Sequence, residues 1–467
     1  MQIAKTVRSL ASLLPHPKTL MVLARKSLFV MRTPRKIGPH QILRSVLMAA
    51  CEGNSHFRGI AQAFSSLAGE KVSRQAVFER LSHEAAPSFF ASALREVLDG
   101  QARRLGALAG SRFASALERA RGVFGRLLIE DGSVVPLHRS LAEKLPGSVN
   151  QHGCAAALRL RWALDFLSGK TLDAELHPWR ENDLSTCFDL LGLVREGDLL
   201  VRDMGYFCLE AFHEIARRGA WFLTRLPEGT VIGEPAGGDL DLVRILRAAR
   251  RGGGATVDRV VRVGRATPVE GRLVAFKIDA PKAAQRRRKL RRTLRGRGLL
   301  PRQRDLDLCD WVVVFTNVGA DRLDAESLAQ LYRARWMVEI FFKGLKSGQG
   351  LEATSARRTN ENTVQCLVYA RMILGVISLN LWRIMTPLVN PESARGDGER
   401  GAGRPGEMRT VGPLKVFESL PALLLAAFRG GPGGRRFAEE IARLAHHATA
   451  EKRNRPSLDQ LVFALLA

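Results

Sequence analysis

The sequence predicts an α/β or α+β core, a mixed sheet flanked by helices, with further helical regions toward both chain ends. Three observations carry this prediction. Strand-like runs follow one another from Val123 through Leu127, Leu128 and Ile129, then at 156–166 and 171–176. The period then changes: 183–194 fits a helix, 199–202 a short buried strand, 206–217 a second helix and 221–224 another strand. Strands in a meander followed by helix, strand, helix and strand describe a sheet that helices pack against. Finally, the chain has 467 residues, about three times the ~150 of an average domain, so two to four domains are expected.

Ahead of the core, residues 37–98 place apolar side chains three and four apart, as in Ile42, Val46, Leu47 and Ala50, which predicts a bundle of short helices. Ser73 suits an N-cap. The stretch 57–81 fits a helix, a glycine-containing turn and a second helix exposing Arg74, Gln75 and Glu79. That is the layout of a helix-turn-helix, and equally of a plain helical bundle. The first 38 residues carry Lys5, Arg8, Lys18, Arg25, Lys26, Arg32, Arg35 and Lys36 and no acid. Their longest apolar piece, 19–24, is short and runs into Arg25 and Lys26, so a secretory signal is not expected. A basic arm on a cytoplasmic protein is the reading.

Between 227 and 317 the alternation is β-like again, at 257–263, 273–278 and 311–316, with an interruption that reads as inserted. Residues 282–304 contain eleven basic side chains and no acid, and supply eleven of the net charge of +26. A solvated loop is one reading. Uncompensated charges at this density repel one another unless phosphates neutralise them, so binding is the expected role. Few Asn or Gln residues accompany the arginines, and Gly296 and Gly298 make the stretch pliable, which suits a sequence-independent clamp on a DNA backbone. The residues expected to act there are Arg286, Arg287, Arg288, Arg291 and Arg292. Trp311, beside Val312, Val313 and Val314, reads first as a core strand residue and second as a ring on which an extruded base could stack.

A long helix is expected from Asp324, which sits at the N-cap with Glu326 in the first turn, to about Lys346. A strongly apolar helix follows at 363–385, then a Gly/Arg/Pro-rich linker at 392–406 and a last helical region at 417–467, broken at 430–434.

Composition narrows the function classes. Apolar residues make up 46% and charged residues 25%, too apolar for a disordered chain. Against 46 Asp+Glu stand 72 Lys+Arg, a surplus that attracts polyanions. A membrane partner would need an apolar span of ~20 residues or a long amphipathic anchor, and neither is expected. The six cysteines are scattered singly, without CxxC or zinc-type Cys-His spacing, so neither structural zinc nor a disulfide framework is expected.

In the helix from Asp324, the residues Tyr332, Arg335, Glu339 and Lys346 stand at offsets 0, 3, 7 and 14. At ~100° per residue they share an arc of about 60° and a stripe about 21 Å long. One reading is a surface ladder in which Arg335 and Glu339 pair, worth a few tenths of a kcal/mol. Trp336, Met337, Ile340, Phe341, Phe342 and Leu345 fill much of the remaining circumference, however, so the stripe is expected to line a cleft and face phosphate rather than a partner acid. Two further acids stand where strands end, Asp131 after 127–130 and Asp203 after 199–202. Each alone reads as a turn or cap residue. Together with Glu339 they supply hard oxygen ligands of the kind Mg²⁺ takes, and two such ions would activate a water or 3′-hydroxyl for in-line displacement at phosphorus.

The spacing of Tyr332, Arg335, Glu339 and Lys346 resembles the Tyr-Arg-Glu-Lys signature of bacterial DDE transposases of the insertion-sequence-four family. Asp131-Gly132-Ser133 is similar to the family's first Asp motif and Asp203-Met204-Gly205-Tyr206 to its second, over roughly residues 73–370. Met204 stands where the family commonly has Arg, which touches a local polar contact and not the metal ligand. The resemblance implies a ribonuclease-H-like (retroviral-integrase-like) catalytic core split by a β-rich insertion. It also implies Asp131, Asp203 and Glu339 as catalytic and metal-binding residues, with Mg²⁺, or Mn²⁺ in its place. Tyr332, Arg335 and Lys346 would then contact phosphates of the transposon end.

The function expected is a DNA transposase that cuts at the terminal inverted repeats of its element and joins the 3′-hydroxyl to target DNA, as a homodimer on paired ends in the bacterial cytoplasm at the nucleoid. Expected domains are a basic arm and helical DNA-binding region at 1–122, core at 123–226, insertion at 227–317, core with the Glu helix at 318–390, and linker with C-terminal helices at 391–467. Rival readings are a metal-dependent nuclease or resolvase on the same fold, a non-catalytic DNA-binding descendant of a transposase, and an arginine-rich RNA-binding protein. The last explains the charge but not the acids at strand ends.

Overall fold

The computed structural model describes residues 15–100, 119–150, 153–180, 184–348, 350–351 and 358–388, with 416, 418–421, 423–424 and 443–444. The expected linker at 392–406, most of the helical region expected at 417–467, and Lys5 and Arg8 of the expected arm lie outside the described residues.

In chain order, helices α1 (Pro17–Lys26), α2 (Pro39–Cys51), α3 (Phe57–Ala68), α4 (Arg74–Ser82) and α5 (Ala86–Asp99) precede strands β1 (Arg126–Leu137), β2 (Pro146–Asn150), β3 (Gly153–Asp165) and β4 (Lys170–Pro178). Next come β5 (Asp198–Arg202), α6 (Leu209–Arg217), β6 (Trp221–Arg225), β7 (Ile232–Gly233), β8 (Asp239–Leu240), α7 (Leu242–Arg251), β9 (Thr256–Val263) and β10 (Val269–Lys277). The described chain continues through α8 (Ala280–Arg295), α9 (Gln303–Leu308), β11 (Trp311–Thr316), α10 (Ala325–Ala334), α11 (Trp336–Lys343), a π-helical turn at Gly344–Gly348 and α12 (Glu361–Leu388). The chain divides into two compact units, one of residues 1–109, 132–181 and 337–458, the other of 110–131, 182–336 and 459–467.

The first unit is a helical bundle with an antiparallel meander. Its centre is α12, which packs against α5, α2 and α4, and its core includes Ile42, Val46, Phe64, Phe89, Phe90, Leu94, Val364 and Ile373, none more than 1% exposed. The absence of a span of membrane length, expected from the sequence, is corrected here. Glu361–Leu381 is long and apolar enough to cross a bilayer, yet 89% of that window is buried inside the protein. A helix that is apolar all round is the buried core helix of such a bundle. Gly69 (φ +72°) ends α3, and the Ser73 hydroxyl accepts from the Ala76 amide at 3.1 Å to cap α4, on which Arg74, Gln75 and Glu79 are exposed. Residues 17–26, part of the expected arm, are helix α1, which buries Leu20 and Ala24 and packs on α2 and α5.

The second unit holds the mixed sheet. The first residues of β1 pair in parallel with β5, from Arg126 with Asp198 to Ile129 with Val201, and β5 pairs in parallel with β6. Then β11 lies antiparallel to β6, β10 to β11 and β9 to β10, and the short β7 and β8 complete the edge. Strands β5 and β6 read as continuous apolar runs because central parallel strands are covered on both faces. On the sheet, α6 packs against β6 and β10, and α10 against β6.

Several elements differ from the expectation. Residues 119–123 are helical and β1 starts only at Arg126. The helix expected at 183–194 is, over its described part, a run of turns closing in a 3₁₀ segment at Asp189–Leu193, with Leu184, Phe188 and Leu193 exposed. The insertion carries α7, which its β-like alternation hid. The arginine-rich stretch is mostly helix and not a pliable loop. The Asp279 carboxylate accepts from the Lys282 amide at 3.1 Å and Pro281 opens the first turn, after which Ala, Gln, Arg, Lys and Leu are all strong helix formers. Only Ala283 of α8 is buried.

Candidate active site

Two parallel strands place the first pair of acids. The parallel pairing ends at Ile129 with Val201, and the next residues on the two chain segments are Glu130 and Arg202, then Asp131 and Asp203. Side chains alternate along a strand, so Glu130 and Arg202 share one face and Asp131 and Asp203 the other. On the first face Arg202 Nε donates to Glu130 Oε2 at 2.7 Å and Nη1 to the Cys187 carbonyl at 2.8 Å, with both side chains almost wholly buried. The Arg202 guanidinium also lies 5.3 Å from the centre of the buried Tyr206 ring. At the other end of the pair, Arg126 Nε donates to Asp198 Oδ1 at 2.9 Å. Charged pairs of opposite polarity thus hold both ends of the β1–β5 register, and a slip by one residue would turn Asp131 away from Asp203.

On the second face, both carboxylates approach one cation. Arg335 Nη1 donates to Asp131 Oδ2 at 3.0 Å, and Arg335 Nε stands 4.0 Å from Asp203 Oδ1. The Arg335 side chain is 8% exposed, Asp131 14% and Asp203 36%, so the group opens on the Asp203 side. Tyr332 donates its hydroxyl to Asp203 Oδ1 at 3.4 Å. Burial pushes the Tyr332 phenol up to about 12, the Asp203 carboxylate adds to the rise, and Arg335 and Arg225 oppose it. The phenol therefore remains a donor through the neutral range.

The stripe expected to face phosphate is corrected at this point, because Arg335 meets partner acids. The long helix is also interrupted. At Arg335 the amide turns to the Tyr332 carbonyl at 3.2 Å, three residues back, so α10 ends at Ala334 and α11 starts at Trp336. No Gly or Pro marks this change of bonding, and a 3.6-residue period cannot reveal it. Glu339, half-buried on α11, and Lys346, half-buried in the π-helical turn, belong to the other unit. A π turn has more residues per turn than an α-helix and so advances less than ~100° per residue, and the arc drawn for a continuous α-helix does not extend to Lys346.

Asp131 and Asp203 are hard oxygen donors aimed at one point where a cation already sits, a donor set that fits a divalent metal ion. Among the described residues no group of three metal-ligating side chains stands together. Because the guanidinium occupies the space between the carboxylates, Arg335→Met, which keeps the apolar stem, is expected to raise affinity for Mn²⁺ by roughly ten-fold, since removing a like charge ~4 Å away is worth one to a few kcal/mol. Calorimetric titration of the full chain checks this. Unchanged affinity would show that the guanidinium does not compete for the site.

Sequence reading missed Arg225. It ends β6 next to β5, the strand that Asp203 follows, since Arg202 pairs with Thr224, and its charge acts on both Tyr332 and Arg286. The rule that singled out Asp131 and Asp203, a polar residue closing a parallel strand, would have found it. Met204 is 47% exposed beside Asp203. Of the five arginines expected to clamp phosphate, two turn inward. Arg286 donates to the Trp311 carbonyl at 3.0 Å, with burial and then Arg225 lowering its pKa, and Arg287 pairs with Asp310. Arg288, Arg291 and Arg292 are exposed. Trp311, in β11 between β6 and β10, is 3% exposed, which favours the core reading of that residue over base stacking.

Comparison with known proteins follows the same lines. The transposase for insertion sequence element IS231D of Bacillus thuringiensis subsp. finitimus is 26% identical over 268 residues, 54% of this chain and 55% of that one. The transposase for insertion sequence element IS1151 of Clostridium perfringens is 22% identical over 280 residues, 56% of this chain and 58% of that one. The chain thus spans about half the length of the curated relatives it matches. A cryo-EM structure of the piggyBac transposase synaptic complex with hairpin DNA gives a TM-score of 0.43 at 9% identity, covering 97% of this chain and 87% of that one, a likeness too slight to carry a conclusion. The family model described as the transposase DDE domain matches residues 123–374, more than half of the chain, and the protein belongs to that family.

Proposed function

We propose that this chain is a DNA transposase that cuts at the terminal inverted repeats of its element and joins the freed 3′-hydroxyl to target DNA. The observation that carries the reading is the convergence on one buried cation of Asp131, within β1 just past its parallel pairing with β5, and Asp203, just after the end of β5. The meander of β4 and β3 beside β1, and the parallel β5 and β6 that follow β1 in the other unit, support a ribonuclease-H-like core. The proposed domains keep the boundaries read from the sequence. The enzyme works as a homodimer on paired ends, in the bacterial cytoplasm at the nucleoid.

Membership of a DDE family implies dependence on divalent metal, and we take Mg²⁺ as the ion, with Mn²⁺ able to replace it. Asp131, Asp203 and Glu339 would hold it. A bound divalent ion lowers the pKa of an attacking water or 3′-hydroxyl and steadies the leaving oxygen. The residues do the rest. Tyr332 keeps Asp203 aimed by its hydrogen bond. Arg335 neutralises the carboxylates before loading and is free to turn to phosphate once they are otherwise engaged. Lys346 and Arg225 add positive charge for the DNA backbone, and the exposed Arg288, Arg291 and Arg292 clamp it without reading sequence.

The test is cleavage of a plasmid carrying the inverted repeats that flank the coding region, with and without divalent metal. Cuts confined to the repeat ends are expected, and cuts without regard to the repeats would favour a nuclease on the same fold. The clamp makes a separate prediction. Replacing Arg288, Arg291 and Arg292 by Ala should flatten the dependence of log affinity on log salt by nearly three units, at about 0.9 per phosphate contact. Replacing Arg286 and Arg287 should leave that slope unchanged and lower stability instead. The reverse pattern would place the clamp elsewhere.

A further inference from the structure

The end of α8 presents a feature that phosphate clamping leaves unexplained. Leu300 is 92% exposed, and it stands among exposed arginines on both sides, Arg295 and Arg297 before it and Arg302 and Arg304 after it. A scattered exposed leucine is ordinary on a surface, but this one is held out by the backbone. The amide of Leu299 closes α8 by donating to the Leu294 carbonyl at 2.9 Å, with Gly298 in the left-handed region (φ +69°) where a side chain would be strained. In such a helix ending an apolar residue is common at the second position past the end, which is the position of Leu299, 55% exposed. Nothing of the kind accounts for Leu300. Pro301 follows it, and a residue before proline is confined to extended backbone. The leucine therefore projects from a stiff turn and not from a floppy loop.

Behind the turn, Arg288, Arg291, Arg292 and Arg295 stand at offsets 0, 3, 4 and 7 and are all exposed. At ~100° per residue they form one stripe within an arc of about 100°, about 10 Å long, on a single face of α8. Like charges at these spacings weaken an isolated helix. An apolar tip at the end of an arginine stripe fits a partner that is anionic outside and apolar inside.

We propose that Leu300 is a wedge that enters between base steps of duplex DNA, while the Arg288–Arg291–Arg292–Arg295 stripe holds the adjoining phosphates, so that this turn bends the DNA it grips. The proposal rests on the reading of the chain as a DNA-binding transposase and adds a site to it. Apolar side chains of this size unstack base steps and kink the duplex by about 20–90°. A second copy of the chain is the weaker occupant, because a self-complementary contact would set the same arginine stripe against itself.

The experiment uses the full chain and a random-sequence duplex of 30 base pairs, a length chosen for the assay, carrying a donor and an acceptor dye at its ends. Wild type should bind and shorten the end-to-end distance. Leu300→Ala, at a site too exposed to disturb folding, should bind about five-fold or more weakly and leave the duplex straight. Its salt dependence should match wild type, and Leu300→Met should restore the bend. Changing all four arginines to Ala should flatten the salt slope by about 3.6 units. A Leu300→Ala protein that bends DNA as wild type does overturns the wedge while leaving the DNA-binding reading intact. So does a variant that loses self-association, or adsorption to anionic vesicles, with DNA bending unaltered. Failure of wild type to bind duplex at all would overturn the DNA-binding reading and the wedge with it.

Discussion

Asp131→Asn, Asp203→Asn and Glu339→Gln are each expected to reduce metal-dependent cleavage by on the order of 10³-fold or more, while leaving binding to the element's ends within a few-fold of wild type. The magnitude follows from the several kcal/mol of transition-state charge stabilisation that a bound divalent ion contributes, with each 1.36 kcal/mol worth about ten-fold in rate. Each substitution removes the charge of a proposed ligand and almost no volume. The two aspartates differ in a second effect. Asp131 accepts from Arg335 at 3.0 Å, whereas Asp203 is held by the Tyr332 hydroxyl and stands farther from the guanidinium. Asp131→Asn therefore leaves a buried cation short of its nearest charge and should also lower stability, more than Asp203→Asn does. Cleavage of end-labelled duplex read beside a denaturation curve separates the two effects. Near-normal cleavage by any one of the three would remove that residue from the site.

Breaking the buried pair behind these acids should have the largest effect on stability. Glu130 and Arg202 are shielded from water, so Arg202→Met alone or Glu130→Leu alone strands a charge and is expected to cost about 3–5 kcal/mol, read from urea denaturation. The double variant should recover most of that loss, because two apolar side chains of similar volume carry no unpaired charge into the sheet. If both single variants melt like wild type, the pair does not fix the β1–β5 register, and the placement of Asp131 beside Asp203 needs another cause.

Much of the sheet was legible because its signals are local. Leu199, Leu200 and Val201, and the run at 221–224, read as short buried strands from contiguous apolar side chains, and they are β5 and β6. Asp203 was legible as the residue that follows a short buried strand, whereas Asp131, also expected at a strand end, lies inside β1, which runs on to Leu137. What periodicity could not show is how chemistry depends on contacts distant in sequence. Arg335 lies 204 residues from Asp131, and no spacing rule predicts that this arginine turns to an acid. The break at Arg335 follows from a hydrogen bond, not from a helix-breaking residue. Arginine runs mislead in a related way. Gly296 and Gly298 suggested a pliable stretch within 282–304, while the high helix propensity of Arg, Lys, Ala and Leu, with Asp279 as cap, makes most of it a helix. Glu130 was passed over because a lone Glu inside an apolar run carries no sign of its partner, and Arg225 because only acids were sought at strand ends.

Joining separates a transposase from a nuclease built on the same carboxylates, and it tests the central claim most directly. The measurement supplies the chain with a pre-cut duplex ending in the element's terminal repeat and a circular target, with Mg²⁺ present. The account predicts that wild type links the 3′-hydroxyl of that end to target phosphate, that a 3′-deoxy end is not joined, and that Glu339→Gln joins neither. Hydrolysis of the duplex with no joined product, or joining that survives Glu339→Gln, would contradict it.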